Sequence, residues 1–470
     1  MSGLFSTLDN SVQALNAQSY AINITSKNVA NLNNSSYSKE TVVFGSMGTV
    51  VTPQGAQSLG INIQGVTQDR NALLDNQVAR EISISSSLTT QQGFLQTAQS
   101  GLGETISNSS AAGGTSASSS GLSTALNNFF NTFQSLAAAP TDTAQKQSVI
   151  QQAAILTDSF NRADTNLASV QSDLTAQAQS NVGDANQQLQ AIANLNGQIV
   201  AMEAGHPGSA VDLRDLRQAA VEKLAADVPI TTTQAINGSL QVSMTDASNN
   251  PVLLVNGASV TGPITISGSA IMGGASSVAL NASSGSIYGA LSVRDGAIQT
   301  LRSNLDALAN QIVTSVNSTY NPTNAAGGDF FNAAGTTAGT IAVSGSLSVA
   351  NLAAGVGAAG DNSIALGIAG LANQTFSTSG GDAIDGTIGG FYSAAVSGLG
   401  QTLSTTNSLV SSQNSLATLV RTQRDNASGV SLDEEMGNLM KYQSAYQASA
   451  RVFSTVDALM GTLINNTGSP

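Results

Sequence analysis

Gly355-Val356-Gly357-Ala358-Ala359-Gly360 matches the G-x-G-x-x-G string of dinucleotide-binding loops. That string holds a pyrophosphate only when a strand feeds it and a helix amino terminus receives the phosphates, since free backbone N–H groups meet the charge. Here an Ala-rich stretch precedes it and Asp361-Asn362 follows, so it reads as a glycine loop. Ser36-Tyr37-Ser38-Lys39 matches S-x-x-K, the nucleophile signature of penicillin-binding enzymes, but the companion S-D-N and K-T-G motifs are absent. Asp433, Glu434 and Glu435 stand side by side. Acids in the first turn of a helix are explained by its free amide donors and its dipole. The chain has one histidine, His206, and no cysteine, which excludes disulfides, thiolate zinc sites and any scheme that needs two imidazoles. His206 itself lies in Gly205-His206-Pro207-Gly208, a turn composition. The residues specify no catalytic, metal or cofactor site, and the expectation is a protein that is not an enzyme.

What the chain offers instead is helical order at both ends. Leu432, Leu439, Tyr446, Phe453 and Met460 step by seven, and Tyr442, Val456 and Leu463 fill the position three residues on, as in a coiled-coil seam. Ser431 followed by Glu434 reads as a capping box that starts this helix near residue 432. At the other end Leu8, Leu15, Ile22 and Val29 also step by seven, with Phe5 and Val12 in the second seam position. Two terminal stripes suggest each other as partners. Ser19 and Ser26 weaken the first of them, so both helices need further neighbours.

Between the ends, helical spacing runs from Asp142 to about Glu203, with a weak zone over residues 180–186. Such a helix reaches about 90 Å at 1.5 Å per residue. Further stripes lie at Ile298–Val316, Leu399–Val420 and Leu73–Leu102. Residues 228–286 change period: they are β-branched, alternating, and punctuated by Asn237-Gly238 and Asn256-Gly257, the signature of a small inserted β domain. The expected fold is mainly α, elongated and multi-domain, with terminal coiled-coil helices, a long-helix bundle and that β insertion. The expected division is 1–62 as amino-terminal coiled-coil segment and 63–227 as the first part of the bundle. The β domain at 228–286 is followed by a return helix at 287–334 and a loosely packed Gly/Ala-rich subdomain at 335–390, with a strand at 340–343. A final bundle helix at 391–428 and the carboxy-terminal coiled-coil helix at 429–470 complete it. The Ser/Gly tract at 109–121 reads as a flexible loop.

The chain has 470 residues, of which 9% are charged, and a net charge of −13. An acidic, sparsely charged surface excludes an electrostatic grip on nucleic acid or an anionic membrane. No run approaches the roughly 18 apolar residues of a membrane span. The opening MSGLFSTLDNSVQAL lacks the basic and apolar regions of a cleaved secretory signal. Partners are therefore expected to be proteins.

The two ends together resemble a known family. The segment MSGLFSTLDNSVQALNAQSYAINITSKNVANLNNSSYS is similar to the amino-terminal segment of bacterial flagellar axial proteins, whose Asn-x-x-Asn and Gly-Tyr pattern corresponds to Asn28, Asn31 and Tyr37. Ser36 stands where the family usually has Gly, and Lys39 where Arg is common. The ending LDEEMGNLMKYQSAYQASARVFSTVDALMGTLI resembles the family's carboxy-terminal helix, in wording nearest to members at the hook–filament junction. Residues 212–227 and 360–371 resemble internal stretches of the same members.

The resemblance implies that the terminal helices are mostly disordered in a free subunit, pair on assembly and line a tube, with the β domain facing outward. It also implies a junction adaptor at the distal end of the hook, which seats a second junction protein and then the filament. The partners would be further copies of the chain, the hook protein, that second protein, and an export chaperone on the carboxy-terminal helix. The location would be extracellular, on the flagellum, after type III export without a cleaved signal. The alternatives are another axial protein (hook, rod or second junction protein) and a secreted low-complexity adhesin.

Overall fold

The structure is a computed structural model and describes residues 2–52, 55–103, 121–205, 208–358 and 360–467. His206 and Pro207, Ala359 of the glycine loop, and the Ser/Gly tract up to residue 120 lie outside the described residues.

In chain order the elements are α1 (Ser2–Ala30), β1 (Glu40–Ser46), β2 (Thr49–Thr52), β3 (Gly55–Ser58), β4 (Ile61–Gln68), α2 (Ala72–Gly101), α3 (Leu122–Ala138), α4 (Thr143–Glu203) and α5 (Val211–Asp227). Strands β5 (Thr231–Gln234), β6 (Leu240–Thr245), β7 (Pro251–Asn256), β8 (Ser259–Val260), β9 (Thr265–Ser267), β10 (Ala270–Gly273) and β11 (Val278–Ala279) follow. Helices α6 (Ser286–Val293), α7 (Gln299–Tyr320), α8 (Ser363–Gly370), α9 (Ile388–Ser428) and α10 (Leu432–Thr467) close the chain. Two units result. The first takes in Met1–Ser85, Val182–Gly285 and Gln413–Pro470; the second takes in Ser86–Asn181 and Ser286–Ser412.

In the first unit α1 packs along α10, and an antiparallel ribbon of β1 with β4 packs on α1. The expected amino-terminal coil through residue 62 is shorter: the helix stops at Ala30, and strands β1 to β4 follow from Glu40. The stop is local chemistry. Asn31 donates both its backbone amide, at 3.1 Å, and its Nδ2, at 3.0 Å, to the Lys27 carbonyl, and Asn34 bonds back to Asn31, a set of local side-chain bonds that favours a turn over further helix. The strands that follow carry the β-branched Thr41-Val42-Val43 and Ile61, Ile63 and Val66.

The β insertion forms a four-stranded antiparallel sheet, β5-β6-β7-β8, and a three-stranded one, β9-β10-β11. The Asn281 amide donates to the Thr245 carbonyl at 2.8 Å and joins their ends. Val242, Leu254, Val255 and Ile264 are fully buried between them. At the Asn237-Gly238 turn Gly238 has φ +83°, a left-handed conformation that a side chain would strain. Its carbonyl accepts from Arg217 Nη1 at 2.9 Å, which ties the hairpin to α5. Asn76 on α2 bonds both the amide and the carbonyl of Thr232, and so occupies the open edge of β5.

The second unit has an aromatic centre. Phe129 and Phe133 of α3 pack on Phe330 and Phe331, with ring centroids 4.9 to 6.0 Å apart, and all four are fully buried. Helix α3 was not anticipated, although Leu126, Phe129, Phe130, Phe133 and Leu136 carry helical spacing. Residues 335–390 are also better anchored than expected. Ile341, Leu352 and Ile384 are buried there, and residues 340–343 contribute one isolated bridge, Phe331 with Val343, in place of the expected strand. Their glycine and alanine content lets the backbone lie close to its neighbours, so that few large side chains suffice to fill this region.

Candidate functional site

The strings that suggested enzymes are occupied by their own neighbours. The Asp361 carboxylate accepts the Gly357 amide at 2.6 Å and the Ser363 amide at 2.9 Å, so a carboxylate of the chain itself occupies the position that a phosphate would need beside Gly357. The Lys39 ammonium pairs with Glu434 at 2.5 Å, and the Ser36 hydroxyl bonds Asn34 at 3.0 Å. Among the described residues no group of three His, Cys, Asp or Glu side chains could hold a metal ion, and no helix is long and apolar enough to cross a membrane.

The polar chemistry of the first unit converges on the joint where α1 ends, the ribbon begins and α9 gives way to α10. Asn28 is 1% exposed and uses its whole hydrogen-bonding capacity. Its Nδ2 donates to the Glu40 carbonyl at 2.9 Å and to Glu435 Oε2 at 3.0 Å. Its Oδ1 accepts from the Tyr37 hydroxyl at 2.7 Å and the Glu40 amide at 3.1 Å. One side chain thus ties helix, ribbon and carboxy-terminal helix together. The Lys39 amide adds a 2.9 Å bond to the Ser428 carbonyl at the end of α9. Of the family motif residues, Asn28 and Tyr37 meet in this node, and Asn31 caps the end of α1 beside it.

Ion pairs surround the node. Lys27 holds Glu40 at 2.7 Å and also Asp212; Arg70 pairs with Asp215 and Asp75 and donates to the Ser36 carbonyl at 3.1 Å; Arg424 holds Glu222 at 2.7 Å. Carboxylates outnumber cations here, and most are buried. Burial pushes Asp215 up to about 6 in spite of Arg70, and pushes Glu40 up in spite of Lys27. Asp75 and the Tyr37 hydroxyl are raised by the same cause.

The seam residues distribute differently from expectation. The positions that α1 buries are small or polar: Ser11, Ala17, Ala21, Thr25 and Asn28. Leu8, Leu15, Ile22 and Val29 are half-buried, while Phe5 (55%) and Val12 (38%) are exposed. On α10, Val456 is buried, Leu439, Tyr442, Phe453 and Met460 are half-buried, and Leu432, Tyr446 and Leu463 are exposed. The physical reason is that a period of seven fixes the faces of a helix without fixing which face meets which neighbour. Inside one chain the small face of α1 is the one fully buried, the larger seam residues are covered only in part, and Phe5 and Val12 remain outward. The reciprocal cap is also replaced: helix α10 does start at Leu432, but the Glu434 carboxylate reaches Lys39 across the joint. The sequence signal missed altogether was Glu435, read only as a first-turn acid; it is 1% exposed.

Comparisons with known proteins return flagellar proteins. Residues 115–331 match the family described as flagellar hook-associated protein FlgK helical domain, and residues 421–466 match flagellar basal body rod FlgEFG protein C-terminal. Flagellar hook-associated protein 1 of Bacillus subtilis (strain 168) is 26% identical over 100% of this chain and 99% of its own. The protein of the same name from Escherichia coli (strain K12) is 23% identical over 98% and 99%. The solved flagellar hook junction protein FlgK from Burkholderia pseudomallei aligns over 55% of this chain and 46% of that one, at 22% identity and a TM-score of 0.45. The chain carries a match to the FlgK helical domain and is similar end to end to flagellar hook-associated protein 1 of two bacteria: it is a structural component of the bacterial flagellum, not an enzyme, and assembles with other axial components.

Proposed function

We propose that this chain is the adaptor of the hook–filament junction. Copies polymerise at the distal end of the hook, through contacts with each other and with the hook protein, and seat the second hook-associated protein and then the filament. The observation that carries this reading is the set of large apolar side chains that the terminal pair leaves exposed. Phe5, Val12 and Tyr20 on α1 and Met436, Met440, Val452, Leu459 and Ile464 on α10 are all more than a third exposed. A patch of that kind gains burial only when subunits meet. The seam residues Phe5, Leu8, Val12, Leu15, Ile22 and Val29, with Leu432, Tyr446 and Leu463, act between subunits in this reading, and the β insertion at 228–286 faces outward.

The working place is extracellular, reached through the flagellar export channel without a cleaved signal. Before export a chaperone shields the carboxy-terminal helix, whose stripe would otherwise drive aggregation. The test is direct: purified chain is added to hooks isolated from a strain that lacks it and located by immunogold electron microscopy. Label confined to the distal tip supports the adaptor role. Label spread along the hook, or none, overturns it.

A further inference from the structure

We propose that Glu435, through Asn28, sets the register in which the two terminal helices pair. The inference rests on the reading that this pair is the assembling element, and it adds what decides its alignment. The last turn of α1 meets the first turn of α10 at the Asn28–Glu435 bond, and the two helices pack along each other, so they run antiparallel. Moving back along α1 therefore moves forward along α10. Counting by heptads in opposite directions from the Asn28–Glu435 bond sets Ala21 against Tyr442 and Ala14 against Ser449.

Packing alone leaves this register weakly defined. The buried side of α1 offers Ser11, Ala17 and Ala21, and small side chains in sequence look much the same after a slip of one heptad, about 10 Å along the axis. The node does not look the same. A slip that carries residue 435 from Asn28 to Ala21 buries a carboxylate against a methyl group, and strands the Asn28 amide as well. It also separates Lys39 from Glu434.

The node is not arranged for maximal stability. Glu435 Oε1 makes no hydrogen bond and has Lys39 Nζ only at 4.0 Å, so a buried charge is incompletely compensated. A buried polar group that is costly where it stands, yet unique in its seam, has the character of a register device, as a single Asn does at a coiled-coil core position. Register matters here because it decides which exposed apolar side chains of α1 stand beside which of α10 when the next subunit meets them.

The chain has no cysteine, which allows register to be read by disulfide capture in the full-length protein. Ser449→Cys is combined with Ala14→Cys for the native register, or with Thr7→Cys for the slipped one. A disulfide requires Cα atoms within about 7 Å, so a 10 Å slip separates the two readings cleanly. In the otherwise unaltered chain, the 14–449 bond is expected to form at least about tenfold faster than the 7–449 bond. With Glu435→Leu, which keeps the seam filled, the two rates are expected to fall within about threefold of each other. Glu435→Gln, which keeps an acceptor for Asn28, retains the native preference. If Glu435→Leu still yields only the 14–449 bond, packing sets the register and the proposal falls. If neither bond forms in the unaltered background, in the free chain or in chains assembled on hooks, the terminal helices do not pair in this way, and the reading beneath the proposal falls with it.

Discussion

Asn28→Asp changes one atom of the node and should disconnect the terminal pair at neutral pH. The Nδ2 group, now a donor to Glu435 Oε2 at 3.0 Å and to the Glu40 carbonyl at 2.9 Å, becomes a carboxylate oxygen facing two acceptors. A hydrogen bond to a charged partner contributes about 1.5–3 kcal/mol and one to a neutral carbonyl about 0.5–1.5 kcal/mol, so about 2–4 kcal/mol is lost at once. Two carboxylates about 3 Å apart cannot both ionise, and one must hold a proton. Keeping it at pH 7.5 costs about 1.4 kcal/mol for each unit above its ordinary pKa near 4, a cost that fades at pH 4.5. The sign follows: the folded-state pKa of the new carboxyl is raised, so the variant regains stability as pH falls. Amide hydrogen exchange over residues 4–30 and 432–465 is the assay, corrected for the intrinsic effect of pH. At pH 7.5 both segments should exchange at least about a hundredfold faster than in the unaltered chain, and the ratio should shrink about tenfold or more at pH 4.5, with Phe129–Leu136 unaffected. Unchanged exchange at pH 7.5, or an equal loss at both pH values, would refute the role given to Asn28.

Three other outcomes are expected. Phe129→Ala opens the aromatic centre of the second unit and should cost about 3–5 kcal/mol, read as a lower urea midpoint for the transition that reports that unit. Because burial raises Asp215 to about 6 from an ordinary 3.8, its folded form holds the proton more tightly; the stability of the first unit should rise as pH falls from 7 toward 4, by up to about 2–3 kcal/mol, and Asp215→Asn should flatten that rise in denaturant titrations at pH 7 and pH 5. Phe5→Ser with Met440→Ser, at sites 55% and 62% exposed, should leave the thermal midpoint of the soluble chain nearly unchanged, within about 0.5 kcal/mol for each substitution, while abolishing tip binding in the immunogold assay.

Much of this architecture was legible because helices announce themselves by period. The spacing through Leu156, Phe160, Leu167 and Leu174 predicts one long helix, and α4 runs unbroken through the weak zone at 180–186, since Ala178 and Ala185 keep the buried face continuous there. The β insertion was legible from its turns, of which Asn237-Gly238 is one. What period cannot supply is the neighbour. Both stripes on α1 repeat every seven residues, so the apolar one drew attention although the small one is buried in the chain. The ribbon at 40–68 was hidden by the assumption that an amino-terminal coil continues, though Asn31 to Ser36 is a helix-ending composition. The site was half visible. Asn28 and Tyr37 stood out through a family pattern, whereas Glu435 lies 407 residues from Asn28 and carries no local sign of burial.

The junction role itself is tested most directly by deleting the gene in its native bacterium, imaging the cell surface by electron microscopy and assaying the medium for filament protein. Hooks that end bare, with filament subunits shed into the medium, are the expected result. Intact filaments on the deletion strain would contradict the role, and missing hooks would move the chain to a hook or rod position.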